Sequence, residues 1–436
     1  IDYGAFSKTY SYTYTNNRTL QTYTDAENIT YSYEYNSNNQ LSRVAIPGQG
    51  SISFSEYDWV VPTKVVLPGG TTHKLGFDER LRPSSLLVTD PAGKELMSQQ
   101  YERSPAGTLK EKITEHGTYA YEYDNQYRLT GAALPGDRSE SYTYDKVGNR
   151  LSTSDKAGDW VYNSNHELTN TPDTSFVYDD NGSMTKVTEE GQDTHYVYNA
   201  GGRLAEVKDN NNQTIAKYEY DPYGRRISKE VSGVKTYFMY TPLGLVGEYD
   251  SAGNLLKGYG YLPGGSWSTD PVYQKTADGK FYYYLNDLNG TPNKLVAGNG
   301  KVVWDARYDS FGNIQITTNT ISNPLRMAGQ YEDEETGLYY NLQRYYDPKL
   351  GRYITSDSLG LIAGVNTYNY VNSNPIMFFD PRGEIINLAS GIVGGVIGGA
   401  IGGAVALFTG GDVGEAMLEG AIAGGVAGLT FGLAGP

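Results

Sequence analysis

The sequence has no cysteine, only six methionines and four histidines. Without cysteine there is neither a disulfide scaffold nor a thiolate metal site. His73, His116, His166 and His195 are scattered with no metal-ligand spacing. They read as exposed hairpin residues, and no metal or other cofactor is expected. Positive charge is also short: 35 Lys and Arg stand against 50 Asp and Glu, a net charge of −15. That balance excludes non-specific nucleic-acid binding, which needs cations to neutralise phosphates. No basic segment followed by an apolar core comes after Ile1, so the chain reads as a fragment or a mature piece.

What is abundant is tyrosine, at 41 residues, and glycine, at 53. Aromatics favour pleated surfaces and glycine supplies positive φ, so the pair points to many short strands joined by tight turns. The tyrosines recur in register. Tyr123-Asp124 leads to Arg128-Leu129, Tyr144-Asp145 to Gly148-Asn149-Arg150-Leu151, and Tyr220-Asp221 to Gly224-Arg225-Arg226. Further copies start at Tyr178, Tyr198, Tyr249 and Tyr308, with weaker ones at Tyr35 and Phe77. The repeat is roughly twenty residues long. Alternation such as Tyr119-Ala120-Tyr121-Glu122-Tyr123 places rings on one strand face, and Asp or Asn then starts a turn. A hairpin of this kind cannot bury its own face, so neighbouring units must complete one another in a long antiparallel sheet. The expected fold class is all-β, with that sheet curving into a partial shell over residues 1–325.

Residues 326–384 interrupt the array and carry three similar settings: Tyr346-Asp347-Pro348, Ser356-Asp357-Ser358 and Phe379-Asp380-Pro381. Two carboxylates held about 3 Å apart cannot both ionise near neutrality, and such a pair can activate water against a carbonyl. Asp357 and Asp380 lie 23 residues apart, each after a strand-like run. Asp before Pro or Gly is also ordinary turn chemistry, and Asp347 reads that way. The stretch is expected to turn inward, with Tyr345, Tyr353, Tyr368, Tyr370 and Phe378 against repeat aromatics. Residues 385–436 form an apolar tail, uncharged from Ile385 to Thr409, with glycines every four residues at Gly394, Gly398 and Gly402. Such spacing suits a close-packed helical hairpin. The run is long enough to cross a bilayer, so a membrane partner for residues 385–433 stands beside the reading of a Gly/Ala-rich linker to a cargo domain.

The repeat and the 326–384 stretch resemble the YD-repeat, or Rhs-repeat, family. The resemblance rests on Arg344-Tyr345-Tyr346-Asp347-Pro348, Gly351-Arg352-Tyr353-Ile354-Thr355-Ser356-Asp357, Asn374-Pro375 and Asp380-Pro381-Arg382-Gly383. The family's usual form reads close to RYYDPxxGRFxSxDPxGL followed by NNPxxxxDPxGL. Ser358 stands where Pro is usual and Glu384 where Leu is usual. The resemblance implies a hollow shell around a toxic C-terminal segment, and self-cleavage by an aspartyl pair. Carried over, Asp357 and Asp380 are the catalytic pair and Glu384–Ile385 the scissile bond, with Arg352 expected as an orienting cation. About ten units are too few to enclose a sizeable cargo, so further repeats are expected upstream. The implied partners are the chain's own C-terminal cargo, a secretion or delivery apparatus and an immunity protein, and the implied location is extracellular or inside a target cell. The rival reading is a non-enzymatic surface or adhesion protein on the same repeats, or a pore-forming tail carried by the shell.

Overall fold

The computed structural model describes residues 1–58, 61–156, 158–362 and 364–384, and the backbone of Asn387–Leu388. Among the described residues every strand pairs antiparallel with its neighbours in sequence within the same sheet. Fourteen strands, from Ser11–Tyr14 to Arg150–Thr153, make the first sheet, and sixteen, from Val161–Tyr162 to Ile314–Asn319, make the second. No α-helix occurs among them, only two 3₁₀ turns, Gly360–Ile362 and Val371–Ser373. The expected helical tail lies outside the described residues.

One turn explains the repeat. At Asp145, Oδ1 accepts from the N–H groups of Val147 (2.9 Å) and Asn149 (2.8 Å), while Oδ2 accepts from the Asn149 amide (2.8 Å). Gly148 takes the left-handed conformation the turn requires, with φ of 87°. The preceding tyrosine has its own role. Tyr144 donates its hydroxyl proton to the Leu129 carbonyl (2.8 Å), one unit back. Tyr123 does the same to Leu109 (2.9 Å), Tyr198 to Met184 (2.8 Å), Tyr220 to Leu204 (2.7 Å) and Tyr308 to Pro292 (3.0 Å). Each ring therefore packs inward while its hydroxyl locks onto the previous unit. A bond of this kind is worth about 1 kcal/mol net, and repetition makes it a spine for the array.

The array is two sheets rather than one unbroken ladder. The segment between Thr153 and Trp160 (Ser-Asp-Lys-Ala-Gly-Asp) lacks the alternation that would pair it. Even so, Trp160 donates its N–H to the Leu151 carbonyl (2.9 Å), so the second sheet starts beside the end of the first. The sheets also share cores. Tyr31, Ile52, Val65 and Val88 of the first pack with Tyr273, Tyr283 and Leu285 of the second. Tyr31 stacks on Tyr273 at 5.7 Å between ring centres, and Tyr142 meets Phe311 edge-on at 4.9 Å. His73 lies in this core, buried, rather than on a hairpin surface, and burial pushes its pKa down to about 4. The other three histidines are half-buried.

Residues after the second sheet form a four-stranded meander, Tyr331–Asp333, Leu338–Asn341, Arg344–Asp347 and Arg352–Tyr353. It packs on the inner face of the second sheet: Tyr345 contacts Tyr218 (5.6 Å), Tyr331 contacts Phe238 (5.4 Å), and Tyr368 contacts Tyr178 (5.9 Å). Phe378 packs against the cluster of Tyr119, Tyr121 and Tyr142. Tyr353 and Tyr370, in contrast, find their ring partners in each other and in Tyr346, inside the same segment. Arginines of the repeat turns clamp the insert. Arg226, wholly buried, pairs with the equally buried Asp333 and donates to the Tyr345 hydroxyl oxygen (3.0 Å). Rings of Phe238, Tyr340 and Tyr218 surround its guanidinium at 4.4 to 5.2 Å.

Candidate active site

Asp357 and Asp380 come together around one cation, Arg344. Its Nη2 lies 2.8 Å from Asp357 Oδ2 and 3.6 Å from Asp380 Oδ2, so the two oxygens are no further apart than those distances combined. All three side chains are buried, at 6, 2 and 4% exposure for Arg344, Asp357 and Asp380. The rest of the guanidinium is also engaged. Nε donates to the Gly383 carbonyl (2.6 Å), Nη1 to the Thr367 carbonyl (2.9 Å), and the Tyr353 ring lies 3.6 Å from its central carbon.

Each aspartate divides its two oxygens between turn and site. Asp380 Oδ1 accepts from the N–H groups of Arg382 and Glu384, both at 3.2 Å, the same i+2 and i+4 pattern as the repeat turns. In those turns Oδ2 binds the residue four on. Here Oδ2 instead accepts the Tyr353 hydroxyl proton (2.8 Å) and faces Arg344. Asp357 Oδ1 accepts from Leu359 N–H (2.9 Å), leaving Oδ2 for Arg344. Turn and site readings thus coexist in each residue. Asp347 keeps only the turn: Oδ1 accepts from Lys349 (2.9 Å) and Leu350 (3.1 Å).

Burial pushes the pKa of both aspartates above the usual carboxylate range, and Arg344 draws both back. Glu384 is raised as well, first by burial; Arg382 opposes the shift, and the charges of Asp380 and Asp357 reinforce it. Two carboxyls therefore face one shared guanidinium, next to the backbone that Arg344 grips at Gly383, and Glu384 is near enough to feel their charge. Beyond Glu384 the chain returns to the site's own strand, where Asn387–Leu388 pairs with Phe378–Phe379.

Arg352 does not join the pair. Its Nη2 donates to the His166 carbonyl (2.7 Å), and its guanidinium lies 4.8 Å from the Tyr368 ring and 5.2 Å from the Tyr162 ring. The expected orienting cation is replaced by Arg344. Tyr353 and Asn341 are also at the site and were not foreseen there. The signal was present in strand alternation: on Arg352–Tyr353 neighbouring side chains face opposite ways, so only one can reach Asp380. Among the described residues no group of three or more His, Cys, Asp or Glu could hold a metal ion. No described helix is long and apolar enough to cross a membrane, and the run 385–433 lies outside the described residues, save the backbone of Asn387–Leu388.

Two tyrosine-latched meanders closing on an inserted aspartate-bearing segment define a YD-repeat shell protein. The Teneurin YD-shell family profile matches residues 107–379, and the chain belongs to that family. It is 33% identical over 257 residues to the tRNA3(Ser)-specific nuclease WapA of Bacillus spizizenii, covering 56% of this chain and 11% of that protein. It is 30% identical over 300 residues to the double-stranded DNA deaminase toxin A of Burkholderia cenocepacia, covering 61% and 21%. The chain thus spans about a tenth to a fifth of these relatives. Among solved structures, the Photorhabdus luminescens Tc holotoxin pore superposes with a TM-score of 0.71 at 21% identity, covering 88% of this chain and 21% of that one. The TcdB2-TccC3-Cdc42 complex gives 0.69 at 21% identity, covering 86% and 21%. These neighbours share the fold.

Proposed function

We propose that this chain is part of a toxin-delivery shell that cuts itself at Glu384–Ile385, separating the shell from the C-terminal segment it carries. The observation that carries this reading is the convergence of Asp357 Oδ2 and Asp380 Oδ2 on Arg344 Nη2, with Arg344 Nε on Gly383 O, one residue before the junction. In the reaction one aspartate is ionised and takes a proton from water as the water oxygen adds to the Glu384 carbonyl carbon. The other, protonated, gives its proton to the carbonyl oxygen. When the tetrahedral intermediate collapses, the C–N bond breaks and a proton passes to the Ile385 nitrogen, leaving a carboxyl at Glu384 and an amine at Ile385. Raised carboxyl pKa values support the protonated partner, and the cation supports the ionised one.

The toxin names among the relatives support delivery of a C-terminal cargo, and with it a delivery apparatus and an extracellular or target-cell location. A surface-adhesion role on the same repeats would need no such pair. Intact-mass spectrometry of Asp357→Asn and Asp380→Asn separates the two. Each variant is expected to remain a full-length chain, because each loses an ionisable oxygen with almost no change of shape. Asp347→Asn is expected to cleave like the parent. Cleavage in both of the first two would end the aspartyl reading.

A further inference from the structure

The two aspartates are not equivalent, and the difference lies in a hydroxyl. Asn341 Nδ2 donates to the Asp380 carbonyl (2.8 Å) and to the Tyr353 hydroxyl oxygen (3.0 Å). With that oxygen already accepting, the Tyr353 proton points to Asp380 Oδ2 at 2.8 Å. Asp380 then accepts from Tyr353 and from two backbone N–H groups, with the Arg344 charge 3.6 Å away. Asp357 accepts from one backbone N–H and from Arg344. Hydrogen bonds donated to a carboxylate favour its ionised form, and Asp380 has three against one at Asp357, which offsets the nearer approach of Arg344 to Asp357.

We infer that Tyr353, oriented by Asn341, is a positioning residue that makes Asp380 the ionised base and leaves Asp357 to carry the proton. This rests on the cleavage reading above and adds to it which carboxyl does what. Tyr353 is fully buried, so its hydroxyl has no solvent to turn to. The charged and titratable groups facing Asp380 are Arg344 on the neighbouring strand, Tyr353, Tyr370, Arg382, Glu384 and Asp357. Of these, Arg344 and then the Tyr353 hydroxyl do most to offset the burial that raises the Asp380 pKa.

The test is the pH dependence of cleavage. The full chain is dissolved in urea from inclusion bodies and refolded by dilution at pH 4 to 9, and release of the C-terminal segment is timed by intact mass. Tyr353→Phe keeps the ring and removes one donor to the ionised form. Its acidic limb is expected to move up by about one to two pH units, the equivalent of a hydrogen bond to a charged group, and cleavage below the limb to slow tenfold or more. Tyr346→Phe is the control. Tyr346 is equally buried in the same cluster, but its hydroxyl donates to the Phe311 carbonyl (2.7 Å), so its limb should stay with the parent. Asn341→Ala, which frees the hydroxyl to turn, should shift the limb the same way by less, and it carries the test if Tyr353→Phe fails to refold. A Tyr353→Phe profile that overlays the parent, or an equal shift in Tyr346→Phe, overturns the assignment. Cleavage by Asp357→Asn and Asp380→Asn would instead fault the cleavage reading itself.

Discussion

Replacing Arg344 by methionine removes the one cation, among the described residues, that touches both aspartates while keeping much of the side chain's bulk. Arg344 stands 2.8 Å from Asp357 and 3.6 Å from Asp380, with all three groups buried. At those distances and an effective dielectric near 20, the pairs are worth about 6 and about 5 kcal/mol before desolvation is counted. Breaking a buried pair by removing one partner costs about 3–5 kcal/mol, because charge is left without compensation. The loss should depend on pH. Without Arg344 the folded-state pKa values of Asp357 and Asp380, already raised by burial, rise further above their unfolded values. A raised carboxyl pKa means stability is lost as pH climbs from the unfolded value through the folded one. The deficit of Arg344→Met should therefore approach about 3–5 kcal/mol at pH 8. Near pH 4 the carboxyls carry their protons, and the deficit should shrink to the hydrogen bonds lost at Gly383 and Thr367, about 1–3 kcal/mol. Urea midpoints of parent and variant, both ending at Glu384 so that cleavage cannot intervene, measure this. A deficit equal at pH 4 and pH 8 would refute the claim that Arg344 neutralises the pair.

Two further outcomes follow from the geometry. Asp270 is held by the Asn286 amide (2.6 Å), and burial with the nearby Asp287 charge pushes its pKa to about 7. Asp270→Asn should gain stability at pH 8 and little at pH 4, by at most about 4 kcal/mol at 1.36 kcal/mol per unit; the gain is smaller to the extent that the residue is only partly enclosed. Thermal melts at the two pH values read the difference. Gly329 has φ of 76°, and a Cβ there would fall inside the Pro381 carbonyl. Gly329→Ala should displace the Asp380 turn and slow cleavage while the far-ultraviolet spectrum keeps its strand signature; parental cleavage would show that this turn's placement does not matter.

Most of the fold was legible because one local unit repeats. Tyr-Asp followed by Gly148 or Gly224 specifies both the turn and the strand face, and stacking such units leaves only a meander. The division into two sheets was not foreseen, because the segment between Thr153 and Trp160 gives no positive signal of its own. The aspartate pair could be proposed from the sequence, but its cation could not be picked by proximity. Arg352 is five residues from Asp357 in sequence, yet its side chain takes the face opposite Tyr353, toward His166 and Tyr368. Arg344 lies thirteen residues before Asp357 and reaches it because the meander pairs Arg344 with Asn341 and Tyr346 with Tyr353. Long-range register of this kind carries no local mark. The reach of Arg226 and Arg203 across to the insert is equally unmarked in the repeat.

Self-cleavage at Glu384–Ile385 by Asp357 and Asp380, as proposed, can be read from masses alone. The most direct measurement is the intact mass of the purified full chain beside that of a variant carrying both Asp357→Asn and Asp380→Asn. The parent should resolve under denaturing conditions into a 384-residue piece and a 52-residue piece beginning at Ile385, while the variant remains a single 436-residue chain. An uncut parent, or a variant cut at the same bond, would contradict it.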